Sequence, residues 1–154
     1  MRKVMSVMLL MLLAMTDVMA KGEMPQYEIT GAGSGTEGTV LVKVYVYAKK
    51  VKDCELRRAA VHGVVFRGFS GNESGVPQPA MAPSSAEMEH AEFCNHFFSS
   101  EGPCQGYATI IDGTYDRVKT AKGYKMGAVL RVDKTALRQA LEQAGIVRSL
   151  SSGF

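Results

Sequence analysis

The chain has no tryptophan, only three cysteines and five prolines in 154 residues, no block of one charge, and no apolar run long enough to span a bilayer. Each shortage removes a class of protein. A spanning helix needs about 20 apolar residues, whereas Val4 to Met15 is a run of 12 residues broken by Ser6 and followed closely by Asp17. Proline-rich or glycine-rich disorder is excluded by an apolar fraction of 46%, and a second full-sized domain by the length. The sequence also lacks C-x-x-C, H-E-x-x-H, H-R-D and D-F-G. Zinc frameworks with regular spacing and protein kinases therefore lose their support.

What is present is unevenly placed. Met1, Met5, Met8, Met11, Met15 and Met19 crowd the first 20 residues, and all 16 glycines lie beyond them. Arg2 and Lys3, the apolar run and Val18-Met19-Ala20 follow the plan of a secretory signal peptide. We expect residues 1–20 to be a leader cleaved after Ala20, and residues 21–154 to be a single exported domain, periplasmic or extracellular. No cysteine stands at the cleavage point, so a lipid anchor of the lipoprotein kind is not expected. Without Arg2, Lys3 and Asp17 the remainder carries 16 basic and 14 acidic side chains. The densest basic group, Lys49 to Arg58, is interleaved with Asp53 and Glu55, which reads as a solvated helix face and not as a nucleic-acid track.

Periodicity then sets the fold class. Tyr27 to Thr30 and Val40 to Ala48 read as strands, the second with Val40, Val42, Val44 and Val46 on one face and Leu41, Lys43, Tyr45 and Tyr47 on the other. Asp53 is the expected N-cap of a helix through Leu56, Ala60, Val64 and Phe66 that stops near Gly68, with Ala59, Ala60 and Gly63 permitting close approach to a sheet. Residues 68 to 83 read as a long loop. Ser84-Ser85-Ala86-Glu87 has capping-box spacing and opens a second helix ending near Ser99 or Ser100. Tyr107 to Thr120 is extended, with Asp112-Gly113 a turn or a bulge, and Tyr124 to Val132 pairs with it. Asp133 caps a last helix that Gly145 ends. The expected fold is α+β: an antiparallel sheet of about four strands with helices on one face, in the order strand, strand, helix, helix, strand, strand, helix.

Candidate sites are few. Gly33 to Val40 matches the nucleotide-binding loop G-x-G-x-x-G-x-V, but it leads into a strand where a dinucleotide site needs a helix, and the rest of a kinase is missing; it reads as a hairpin connection in which glycine supplies positive φ. Neither Gly31-Ala32-Gly33-Ser34-Gly35 nor Gly71-Asn72-Glu73-Ser74-Gly75 places serine where a hydrolase elbow needs it. Cys94 and Cys104 are ten apart across an expected helix end and turn, and we expect them to pair as a disulfide, leaving Cys54 buried or free to join another chain. The competing use of the same residues is a zinc site of His90, Cys94 and Cys104. Phe66-Arg67-Gly68-Phe69 sets an arginine between aromatics, so Arg67 and Phe69 are candidate binding residues.

Ala60 to Ser70, Phe97-Phe98, Tyr124 to Leu141 and the closing Ser-Gly-Phe carry a resemblance to an uncharacterised family of small exported bacterial proteins. The strand-strand-helix start and Val129-Leu130-Arg131-Val132-Asp133-Lys134-Thr135-Ala136-Leu137-Arg138 are similar to the amino-terminal domain of flagellar assembly protein T and related envelope lipoproteins. That resemblance implies an envelope assembly module and brings no catalytic residues. The expectation is a non-enzymatic, cofactor-free module that binds a protein or envelope component. The alternative is a small metal-dependent hydrolytic protein using His62, His90 and the carboxylates of Glu87 and Glu89.

Overall fold

The structure, a computed structural model, describes residues 23–71 and 77–150. The leader expected over residues 1–20, the Gly71 to Gly75 motif in large part, and the closing Ser-Gly-Phe lie outside the described residues.

Strands β1 (Tyr27–Ser34) and β2 (Thr39–Tyr47) form the expected hairpin, with Gly38 at φ 77° in its turn and a register shift between Gly31 and Gly33. The helix α1 (Asp53–His62) continues as a π-helical turn over Gly63–Arg67. Two short helices, α2 (Ser85–Glu89) and α3 (Ala91–Phe97), precede a 3₁₀ turn at Pro103–Tyr107. Strands β3 (Ala108–Ile110), β4 (Asp116–Thr120) and β5 (Gly123–Asp133) follow, and α4 (Lys134–Gln143) closes the order. The five strands pair antiparallel, with β2 between β1 and β5 and with β3 and β4 paired end to end along β5. The fold is α+β, as the order of strands and helices read along the chain implies.

The interruption between β3 and β4 resolves the ambiguity at Asp112-Gly113. Ile111 to Thr114 loops out as a tight turn with Gly113 at φ 75°, and the Thr114 hydroxyl repairs the ladder by accepting from Val129 N–H at 2.9 Å and donating to Ile111 O at 2.6 Å. The extended run expected over 107–120 is thus two strands sharing one neighbour.

The inward face is built by Val40, Val42, Val44 and Val46 of β2 with Ala128, Leu130 and Val132 of β5, joined by Leu56, Ala59, Ala60, Val61, Val64 and Val65 of α1 and its extension and by Leu137 and Leu141 of α4. Burying each large apolar side chain contributes roughly 1.5–3 kcal/mol, which makes this face the main source of stability. The small-residue face of α1 lies against β1 as anticipated: a Cβ added at Gly63 would sit 2.6 Å from Ile29 Cδ1. The π-helical turn swings Val64, Val65 and Phe66 all inward, and Gly68 ends it at φ 67° while donating its N–H to Gly63 O at 2.8 Å.

Three local expectations are corrected. Lys52, not Asp53, is the residue before the first turn of α1, because the Glu55 carboxylate takes the Lys52 N–H at 2.8 Å. The second helix is broken at His90, which leaves helical geometry at φ −114°, ψ 37° and divides α2 from α3. Ser84 makes no side-chain cap bond, because its own backbone is already helical at φ −60°, ψ −27°, and Glu87, the carboxylate a capping box would use, is turned toward His62. Asp133 does cap α4, accepting from Ala136 N–H at 2.9 Å, and Gly145 ends that segment at φ 74°. No helix among the described residues is long and apolar enough to cross a membrane.

Candidate functional site

The structure offers two polar constellations, one at the floor of a cleft and one on the open side of the sheet. The cleft, about 810 Å³, is bounded by residues 23–26 ahead of β1, by His62 and Arg67 at the end of α1, and by Glu87 of α2. His62 is only 6% exposed and is enclosed by the rings of Tyr27, Phe66 and Phe98. Tyr27 Oη lies 2.7 Å from His62 Nδ1, and His62 Nε2 lies 3.1 Å from Glu87 Oε1. A neutral imidazole satisfies both contacts if Nδ1 accepts from the phenol and Nε2–H donates to the carboxylate. Burial holds the His62 pKa below its ordinary 6.5, against the opposing pull of Glu87. Burial also raises the Tyr27 phenol, so it stays protonated and able to donate.

Arg67 stands at the rim of this cleft. Its guanidinium lies 4.1 Å from the centre of the Tyr27 ring and donates to Tyr27 O at 3.3 Å, so it braces the tyrosine that holds His62. Phe69, the other aromatic candidate, exchanges two 2.9 Å backbone bonds with Gln78 and leans on Gly31, sealing the outer side of β1. The two candidate binding residues therefore do separate work, one at the cleft and one on the sheet edge.

The histidine and cysteine candidates do not converge. His90 and Glu89 line a different shallow cleft with Met81, Arg138 and residues 145–148, while His62 and Glu87 line the first. No group of three or more His, Cys, Asp or Glu side chains that could hold a metal ion occurs among the described residues, so His90, Cys94 and Cys104 do not assemble as the zinc alternative required. The expected Cys94–Cys104 disulfide is not formed either: Cys54, Cys94 and Cys104 are all free thiols. Cys94 is buried on α3, where its electrostatic neighbour is Glu87, and Cys104 is buried in the 3₁₀ turn, where its neighbours are Arg58 and Cys54.

The open side of the sheet carries an ordered lattice that no catalytic motif marks in the sequence. Register places Glu28, Tyr45, Gly127 and Asp116 in one row across β1, β2, β5 and β4, with Tyr47 and Lys125 paired in the next. Tyr47 Oη donates to Glu28 Oε1, and Lys125 Nζ donates to Glu28 Oε2 at 2.7 Å. Tyr45 Oη donates to Asp116 Oδ2 at 2.5 Å, and Lys43 Nζ lies 3.8 Å from the same oxygen. Lys125 is also 4.6 Å from the centre of the Tyr45 ring. These bonds hold Glu28 and Asp116 below the usual carboxylate range, chiefly through Lys125 for the first and Tyr45 for the second, and push the Tyr45 phenol up to about 12, chiefly through its bond to Asp116. Gly127 is the seat of the lattice. A Cβ there would lie 2.5 Å from Val44 O and 2.6 Å from Tyr45 Cδ1, so only glycine lets the Tyr45 ring lie flat across β5. The alternation of valine against Lys43, Tyr45 and Tyr47 was the signal that could have found this face.

Comparison with family models, with curated proteins and with solved structures finds no match to this chain.

Proposed function

We propose that this chain is an exported, non-enzymatic module of the bacterial envelope, periplasmic or surface, that binds a protein or envelope component through the open face of its sheet. The leader pattern at residues 1–20 and the resemblance to envelope assembly modules support the setting. The observation that carries the binding role is the lattice of Tyr45, Tyr47, Lys43 and Lys125, in which two half-exposed aromatic rings are fixed in place by buttressed carboxylates. Rings held before a partner arrives lose little conformational freedom on contact, and tyrosine is enriched among residues that dominate binding energy. The metal-dependent alternative is less favoured, because His62 with Glu87 and His90 with Glu89 face different clefts.

The test is capture from an envelope extract on immobilised protein, comparing the wild-type chain with a Tyr45→Ala/Tyr47→Ala double variant shown to be folded by circular dichroism. Capture that depends on the tyrosines is expected. Equal capture by both proteins would overturn the assignment of this face, and stoichiometric zinc in the purified protein would revive the hydrolytic alternative.

A further inference from the structure

Cys54 lies in the first turn of α1, half-buried, and Arg58 follows one turn later on the same face. The chain from Phe98 to Gln105 runs along that face and is tied to it twice. Arg58 Nε donates to Phe98 O at 2.7 Å, and Gln105 Nε2 donates to Cys54 O at 3.1 Å. Cys104 sits between those ties, fully buried. We propose that Cys54 and Cys104, not Cys94 and Cys104, are the pair that an exported thiol-oxidising system links as a disulfide, with Cys94 left as a buried thiol. This extends the reading of the protein as exported, since an oxidising compartment is what makes the bridge persist.

The electrostatic neighbours agree with the geometry. Cys104 responds to Cys54 and Arg58, whereas Cys94 responds to Glu87 and to no cysteine. Burial pushes the Cys104 thiol up to about 11, which leaves the more accessible Cys54 as the first sulfur to react. With a disulfide oxidant RSSR, the Cys54 thiol displaces one RSH and forms a mixed disulfide. Cys104 then attacks the Cys54 sulfur, giving its proton to the departing second RS group, so two thiols are oxidised and one RSSR is reduced to two RSH.

The probe is oxidised glutathione added to the reduced, purified chain, followed by alkylation and non-reducing peptide mapping. The expected product is a Cys54–Cys104 linked peptide pair with Cys94 alkylated, formed equally in a Cys94→Ser variant and lost in a Cys104→Ser variant. Because the bridge closes a loop of about 50 residues, reduction should lower Tm by on the order of 10 °C. A Cys94–Cys104 link, a glutathione adduct on Cys54 that never resolves, or three alkylated thiols would each overturn the proposal. Cell fractionation separately tests export: a cytoplasmic chain that still forms the bridge with glutathione would refute the exported reading and leave the pairing intact.

Discussion

Replacing Gly127 with alanine tests whether the open face is a built lattice or a loose array of surface side chains. The added methyl would stand 2.5 Å from Val44 O, a backbone atom of the central strand that cannot swing away, and 2.6 Å from Tyr45 Cδ1. Relief requires a shift of the β2–β5 pairing, rotation of the tyrosine, or both. Overpacking of this kind costs about 2 kcal/mol, which for a domain of this size is a fall in Tm of roughly 8 °C. Gly106→Ala is the matched control, because a Cβ added there would meet nothing within 4 Å and its φ is not positive; that variant should stay within about 0.5 kcal/mol of wild type. A second readout separates the lattice from general stability. The Tyr45 phenol is held near 12 chiefly by its bond to Asp116, so displacing the ring should move one tyrosine back toward the ordinary 10.0 in a spectrophotometric titration. The chain has six tyrosines and no tryptophan, and because the buried Tyr27 also titrates high, the Tyr45 shift is read as the difference between the wild-type and variant curves. Equal Tm values for the two alanine variants, or a Gly127→Ala tyrosine titration curve that superimposes on that of the wild type, would refute the account.

Two further outcomes follow from the cleft. Tyr27→Phe removes the partner of His62 Nδ1 while leaving the ring in place, so a buried acceptor goes unpaired and stability should fall by about 1–3 kcal/mol in urea unfolding. His62 makes folding pH-dependent in a window below its ordinary 6.5: the unfolded imidazole takes up a proton that the buried one resists, so stability is present above that pH and declines as pH falls through 6.5 toward the lower folded value. His62→Gln should flatten the urea midpoint across that window, leaving the loss at lower pH where Glu28 and Asp116 protonate. A midpoint that stays equally pH-dependent in the variant would show that another group carries the effect.

Much of the architecture was legible along the chain because it depends on period and on local chemistry. Four valines spaced by two on β2 imply one buried face whatever packs on it, and Asp133 and Gly145 bound α4 through bonds that reach no further than one helical turn. The same alternation placed Lys43, Tyr45 and Tyr47 together on the opposite side. Where a residue had two local options, the chain alone misled. Glu87 has capping-box spacing from Ser84, but a buried imidazole 25 residues away offers a partner shielded from water, and the carboxylate turns there.

Sequence by itself thus determined the α+β class, the strand faces, the two ends of α4 and the separation of an apolar first stretch from the glycine-bearing remainder, because each is a property of neighbours within a turn or two. Tertiary structure decided which distant groups meet. It put Glu28 beside Lys125 and Asp116 beside Tyr45, joined Tyr27, His62 and Glu87, sent His90 to another cleft, and tied Gln105, the neighbour of Cys104, to the Cys54 carbonyl. The meetings on the sheet follow from strand order and from the register of β2 on β5, the others from how the helices pack on it, and none is written in the spacing of any one segment.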